Sequence, residues 1–221
     1  MPTVASVYLS SRSARSARSS RRHDRTADRE SSSTKRNVRV PVHFRSGMEL
    51  FVADNLERYA ETQGVLPSRL AEFGETYREQ GYLTRDQLYD IAYESSTRSA
   101  YHVEKNPEQR CRTVTANALA VEDDFSKIQL LTGLSGFKAP TASCVLTASD
   151  PDRHAVVDTR VWASLERLDY LEGRKESFDA DDYVTMIHPI REIAAETGYS
   201  AAEVGYALFA YDDEVRAGTL H

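Results

Sequence analysis

The residues best placed to do chemistry lie in two nearby stretches. Leu134-Ser135-Gly136-Phe137-Lys138-Ala139-Pro140-Thr141-Ala142-Ser143 reads as a small-residue hairpin between two apolar helical segments. Ala155-Val156-Val157-Asp158-Thr159-Arg160 then sets a lone carboxylate at the head of a third helix. A helix opening near Pro140 presents N–H groups that have no acceptor within the helix, and its dipole makes that end positive. Gly136 permits a tight turn and a close approach of the backbone. Ser135, Gly136, Phe137, Lys138 and Ala139 are therefore candidate contacts for a phosphate, of the kind that positions a nucleic acid without reading its sequence. Asp158 has two readings. It can cap its own helix, a role that aspartate favours. It can also act on a substrate held by the hairpin, by stabilising positive charge or orienting water.

The elements that must position these groups read as helices. Met48, Phe51, Val52, Leu56 and Tyr59 mark one apolar face, and Leu70, Phe73 and Tyr77 a second. Thr84-Arg85-Asp86-Gln87 has the form of a capping box, followed by Leu88, Ile91 and Ala92. Pro107 suits a helix start, with Cys111, Val114, Ala118 and Leu119 behind it. Ile128, Leu130 and Leu131 lead into Gly133 and the hairpin. Val161, Trp162, Leu165 and Leu168 form the helix after Asp158. Residues 180–197 and 201–217 complete the set, with Ser200 and Glu203 at capping-box spacing. No alternating strand pattern and no internal repeat is evident, so the expected fold class is all-α.

Composition sets the boundaries. The chain has 221 residues and 40% hydrophobic content, enough for one sizeable core. Its charge is unevenly placed: residues 1–40 carry +7, and the remainder carries −13. An acidic body does not read as a general nucleic-acid binder, because phosphates are neutralised by basic side chains. Residues 1–45 are dominated by Ser and Arg and are expected to be disordered, since they hold too little apolar area to offset ordering. A functional basic arm and an overlong start are both open for this segment. Residues 46–221 are expected to form one helical domain. No apolar run approaches the roughly 20 residues of a membrane span, and no membrane partner is expected. Cys111 and Cys144, the only cysteines, fit reduced thiols in a cytoplasmic protein. Two cysteines cannot supply a four-cysteine zinc or iron–sulfur site.

The unit Leu-x-Gly-x-x-x-x-Thr-Ala at 134–142, followed by Val157-Asp158-Thr159, resembles the helix-hairpin-helix core of the base-excision DNA glycosylases of endonuclease III, MutY and AlkA type. The resemblance covers roughly residues 83–170 and implies a two-lobed, all-helical fold. It implies that the hairpin holds the backbone of damaged, double-stranded DNA and that Asp158 drives cleavage of the N-glycosidic bond. Pro140 stands where the bifunctional members carry a lysine nucleophile, which points to hydrolysis without strand cleavage through a Schiff base. Lys138 stands in the place of the hairpin's second glycine.

A glycosylase must swing its target base out of the stack into a pocket. Tyr93, Tyr101 and Trp162 are candidates for its walls, with core packing as the alternative for each. The polar stretch from Tyr93 to His102 interrupts the helical pattern, and Arg98 within it can meet a phosphate or a carboxylate if the stretch lines a cleft; a surface loop is the alternative. Asp179, Asp181 and Asp182 suit a helix start, and the six histidines form no His-x-x-x-His pair, so neither a metal nor another cofactor is expected. A different class of function also stands: a non-catalytic module that keeps the fold and docks on nucleic acid or on a protein partner. In that case Asp158 would only cap its helix.

Overall fold

The computed structural model describes residues 47–63 and 65–218, with the side chains at 63, 65, 66, 98 and 99 outside that description. Residues 1–45, expected to be disordered, lie outside the described residues. Among those described, every regular element is helical: α1 (Gly47–Gln63), α2 (Val65–Gln80), α3 (Arg85–Ser95), α4 (Thr97–Ala100), a 3₁₀ turn (Val103–Lys105), α5 (Glu108–Ala120), α6 (Asp124–Thr132), α7 (Ala139–Ser149), α8 (Thr159–Arg167), α9 (Ala180–Thr197) and α10 (Ala201–Gly218).

Local chemistry sets many of these ends. Thr84 and Gln87 form a reciprocal capping box at the start of α3. Asp179 and Asp182 form another at α9, where Lys175 also pairs with Asp182, so these acids serve the helix start. Ser200 and Glu203 exchange bonds of 2.7 and 3.2 Å at α10. Gly198 closes α9 in the left-handed conformation, at φ 74°.

The helices sort into two groups. The first pairs α1 with α10, α8 with α10, and α9 with both α1 and α10. The second packs α2 and α3 on α7, and α5 on α6. The two groups share one hydrophobic core, which includes Val52, Tyr77, Leu131, Val145, Leu165 and Ile187. Helix α7 is its centre, because every residue from Thr141 to Ala148 is buried. A helix buried on all faces needs small side chains to admit its neighbours, and α7 supplies Ala, Ser, Thr and Cys. The closest approach is at Gly74 of α2, where an added Cβ would lie 2.0 Å from the Ala148 carbonyl oxygen. Arg78, one turn later, donates to the Ala148 and Ser149 carbonyls at 3.0 and 3.1 Å and so closes the C-terminal end of α7.

Buried Thr115 of α5 is a second fixing point. Its hydroxyl accepts from the Leu83 N–H at 2.8 Å and donates to the Cys111 carbonyl at 2.8 Å, while the Tyr77 hydroxyl donates to the Thr115 carbonyl. The second group is thereby locked around the side of α7 that the hairpin enters.

Candidate functional site

The hairpin is built from both ends. Helix α6 ends at Thr132, and the Leu134 and Phe137 N–H groups donate to the Leu131 and Leu134 carbonyls, each at 3.1 Å. Gly136 has φ 89°, a conformation that side chains rarely adopt, so the glycine is required there. Phe137 turns inward and is buried, while Ser135 and Lys138 face solvent. Lys138 has φ −119°, an extended backbone open to any residue, so its position does not call for a second glycine. It is the N-cap of α7 but makes no side-chain capping bond, which leaves the opening N–H groups of α7 without a side-chain acceptor.

Asn106 braces this turn. Its Oδ1 accepts from the Ser135 N–H at 2.9 Å, and its Nδ2 donates to the Ser135 and Val103 carbonyls, both at 2.9 Å. Arg110 donates to the Gly133 carbonyl at 2.9 Å. The hairpin is thus held by side chains from the 3₁₀ turn and α5 as well as by its own bonds. A single buried asparagine carries no pattern in sequence, so its bracing role is visible only in three dimensions.

Asp158 is the N-cap of α8. Its Oδ1 accepts from the Arg160 and Val161 N–H groups at 2.9 and 3.0 Å. Oδ2 has no hydrogen-bond partner among the described residues. Burial pushes the Asp158 carboxyl above the usual carboxylate range, against the pull of those two N–H groups and the Arg160 guanidinium, and Asp212 adds to the upward push.

The approach to Asp158 is tied to the hairpin's own helix. The Val157 N–H donates to Ser143 Oγ at 3.1 Å, and Ser143 Oγ donates to the Pro140 carbonyl at 2.6 Å. Ser143 lies four residues along α7 from Ala139, a rise of about 6 Å. One short chain of contacts therefore joins the mouth of the hairpin helix to the segment that delivers the carboxylate. On its other side that segment touches Gly205 of α10, where an added Cβ would sit 2.9 Å from Ala155 Cβ and 3.4 Å from the Val156 carbonyl oxygen.

Helix α8 is fixed in turn. Ser164 Oγ donates to the Leu208 carbonyl at 2.6 Å, and fully buried Asp212 accepts from Arg167 at 2.6 Å and Arg216 at 2.5 Å. Arg160 pairs with Asp213 and lies 4.6 Å over the Phe209 ring.

Two further groups stand within electrostatic reach of Asp158. Tyr59 of α1 is buried, stacked on Tyr206 at 4.9 Å and edge-on to Phe209 at 5.8 Å. Burial first, then Cys144 and Asp158, hold its phenol well above the ordinary range, so it stays protonated. Burial likewise pushes the Cys144 thiol up to about 12, which makes it no nucleophile near neutral pH. Sequence reading placed Tyr59 on the apolar face of its helix, and its burial agrees with that.

The expected pocket residues are dispersed. Trp162 is buried and packs on Phe178 at 5.7 Å, and its indole N–H donates to the Gly173 carbonyl at 2.6 Å, so core packing accounts for it. Tyr93 is exposed and stacks on Tyr89 at 6.2 Å. Tyr101 is exposed, with the His102 ring centred 3.9 Å away and Lys105 over its face. The Arg98 side chain lies outside the described residues; its backbone belongs to α4. One described cavity of about 370 Å³ is lined by Arg85, Asp86, Tyr89, Asp90 and Glu104, none of them part of the hairpin or of the Asp158 surroundings. Among the described residues no three His, Cys, Asp or Glu side chains are grouped to hold a metal ion, and no helix is long and apolar enough to cross a membrane.

No protein-family model matches the chain, and no curated protein matches it. Two solved structures are similar to it. The 8-oxoguanine DNA glycosylase of Thermotoga maritima is 15% identical, with 74% of this chain and 96% of that one covered at a TM-score of 0.49. The Methanocaldococcus jannaschii 8-oxoguanine glycosylase/lyase, in complex with 15mer DNA containing 8-oxoguanine, is 14% identical, with 77% and 82% covered at a TM-score of 0.42.

Proposed function

We propose that this protein is a monofunctional DNA glycosylase that hydrolyses the bond between a damaged base and its deoxyribose in double-stranded DNA. The observation that carries the reading is the pairing of two unsatisfied groups on one helix–loop unit. The N–H groups that open α7 lack a side-chain cap, and Asp158, tied back to α7 through Val157 and Ser143, keeps Oδ2 open while Oδ1 caps α8.

The chemistry follows from that arrangement. The hairpin holds a phosphate by the backbone N–H groups of Gly136, Lys138 and Ala139, since those of Ser135 and Phe137 already donate to Asn106 Oδ1 and the Leu134 carbonyl, with Lys138 adding charge at the exposed tip. The sugar beyond it is presented to Asp158. As the bond from C1′ to the base nitrogen stretches, positive charge develops on the sugar, and a fixed carboxylate in a partly desolvated site stabilises it. The Cys144 thiol, pushed up to about 12, supplies no thiolate, Pro140 supplies no amine, and the Lys138 amine is assigned to the phosphate, so water is the acceptor of the sugar in this reading. The product is an intact strand bearing an abasic site.

The reading is tested by incubating wild type and Asp158→Asn with duplexes carrying 8-oxoguanine, alkylated purines or uracil, then nicking abasic sites with alkali. The expected result is alkali-dependent cleavage by wild type on at least one lesion and its loss in Asp158→Asn. Equal signals from the two proteins, or strand scission without alkali, would reject it. The non-catalytic alternative is favoured by one observation: two good bonds to Oδ1 give Asp158 a sufficient structural role as a cap. It predicts DNA binding with no base release by either protein.

A further inference from the structure

In a body whose charge balance is −13 beyond its first 40 residues, cations without an acidic partner stand out. Most of the basic side chains described pair with a carboxylate, as Arg58 does with Glu214, Arg112 with Glu108 and Arg167 with Asp212, each at 2.6 Å. Among the described residues, Lys105, Arg110 and Lys138 are exposed and pair with none. All three belong to the hairpin or to the elements that brace it. Lys138 is the N-cap of α7, and Arg110 donates to the Gly133 carbonyl at 2.9 Å. Lys105 ends the 3₁₀ turn, one residue before Asn106, whose side chain holds both the N–H and the carbonyl of Ser135 at 2.9 Å. Consecutive Cα atoms are about 3.8 Å apart, so the clamp that fixes Ser135 also fixes the base of the Lys105 side chain. Asn106 is buried, while Lys105 and Ser135 are exposed.

The Lys105 ammonium is itself held. Its Nζ donates to His102 Nδ1 at 3.0 Å and lies 5.5 Å from the centre of the Tyr101 ring, and the Tyr101 and His102 rings are centred 3.9 Å apart. An ammonium has three donors, so two remain after the bond to His102. A long side chain loses rotamer freedom when it binds, and a lysine already steadied by a ring face and an imidazole has less to lose. Tyr101 is 54% exposed, so core packing does not account for it. The neighbouring acid, Glu104, lines the cavity beside α3 with Arg85 and Tyr89. We propose that Lys105 is a further contact to the DNA backbone, taking a phosphate beside the one at the Gly136 turn, with Tyr101 and His102 as its positioning residues. The inference rests on the proposed function and deepens it by naming a phosphate contact outside the hairpin. The contact is electrostatic and reads no sequence.

A phosphate contact shows in salt dependence, because each neutralised phosphate releases counterions and adds about 0.9 to the slope of log Kd against log salt concentration. Full-length wild type, Lys105→Gln, Lys105→Arg, Tyr101→Leu and, as a control, Arg174→Gln are titrated by anisotropy with an undamaged labelled duplex from about 50 to 200 mM salt. Lys105→Gln should lower the slope by about 0.9 and weaken binding about 5- to 10-fold near 0.1 M salt, while Lys105→Arg should keep the wild-type slope. Tyr101→Leu keeps the charge but frees the side chain, so affinity should fall roughly 2- to 10-fold at an unchanged slope. Arg174, which pairs with Glu176 on the connection between α8 and α9, should have no effect. A wild-type slope in Lys105→Gln, unchanged affinity in Tyr101→Leu, or an equal fall in Arg174→Gln overturns the proposal. Base release separates this contact from the glycosylase reading: if wild type binds duplex and releases no base from any lesion, that reading fails, and the salt slope still decides whether Lys105 meets a phosphate.

Discussion

Asp158 can be interrogated by stability alone, because its two roles respond oppositely to substitution. The capping role needs an oxygen that accepts from the Arg160 and Val161 N–H groups, at 2.9 and 3.0 Å. Asparagine supplies one and ranks with aspartate as a cap, whereas alanine leaves both N–H groups without a partner, at a cost of about 1 kcal/mol. In a domain of this size that is a fall in melting temperature of roughly 2–4 °C. The charge is a separate matter. A negative group at a helix start gains from the dipole, but burial pushes the Asp158 carboxyl upward in spite of the helix, so ionisation is a net cost to the fold. A carboxyl whose pKa is raised on folding stabilises the fold in its protonated form, below the unfolded value, and that contribution is lost as pH rises through the folded value. Asp158→Asn should therefore melt at or above wild type at pH 7, and the difference should shrink as pH falls through the carboxylate range. Urea or thermal unfolding of wild type, Asp158→Asn and Asp158→Ala over that range reads this out. If Asp158→Asn is as unstable as Asp158→Ala at pH 7, the charge itself supports the helix and the reasoning is wrong.

Two further substitutions probe the supports of the site. Asn106→Leu removes the brace and leaves the Ser135 N–H and carbonyl without their partner, so stability should fall by about 1–3 kcal/mol and affinity for undamaged duplex should weaken; unchanged affinity in an anisotropy titration would show that the hairpin does not contact DNA. Gly205→Ala would place a Cβ 2.9 Å from Ala155 Cβ, forcing a shift of the segment that delivers Asp158. It should cost about 1–3 kcal/mol and, at a temperature where the protein stays folded, slow base release by more than 10-fold.

Much of this architecture was legible in the sequence where signals are local. The capping boxes at Thr84 and Ser200, the acidic helix start at Asp179, the helix start after Pro107 and the hairpin at Gly136 all follow from short-range rules, and the structure shows each of them. Asp158 at the head of α8 was equally readable, because Val156-Val157 before it and Val161-Trp162 after it frame a buried approach and an amphipathic helix. What sequence could not show was long-range. Tyr59 of α1 stacks on Tyr206 of α10, a contact between helices far apart in the chain that no local pattern announces. Asn106 and Gly205 act through single contacts with no periodic signature. Trp162 was readable as buried but not as directed toward Gly173 and Phe178. That the Lys138 backbone is extended, and so asks for no glycine, only φ could show.

The central claim is that a carboxylate at 158 and the backbone cradle at 135–139 serve one sugar-phosphate unit. It is tested most directly by comparing duplexes that carry a cationic pyrrolidine or a neutral tetrahydrofuran in place of the abasic sugar. Wild type should bind the pyrrolidine duplex at least tenfold more tightly, as expected of a mimic of the charged transition state, and Asp158→Asn should lose that preference while keeping its affinity for the neutral analogue. Equal binding of the two duplexes by wild type, or a preference for the cation that survives in Asp158→Asn, would contradict the account.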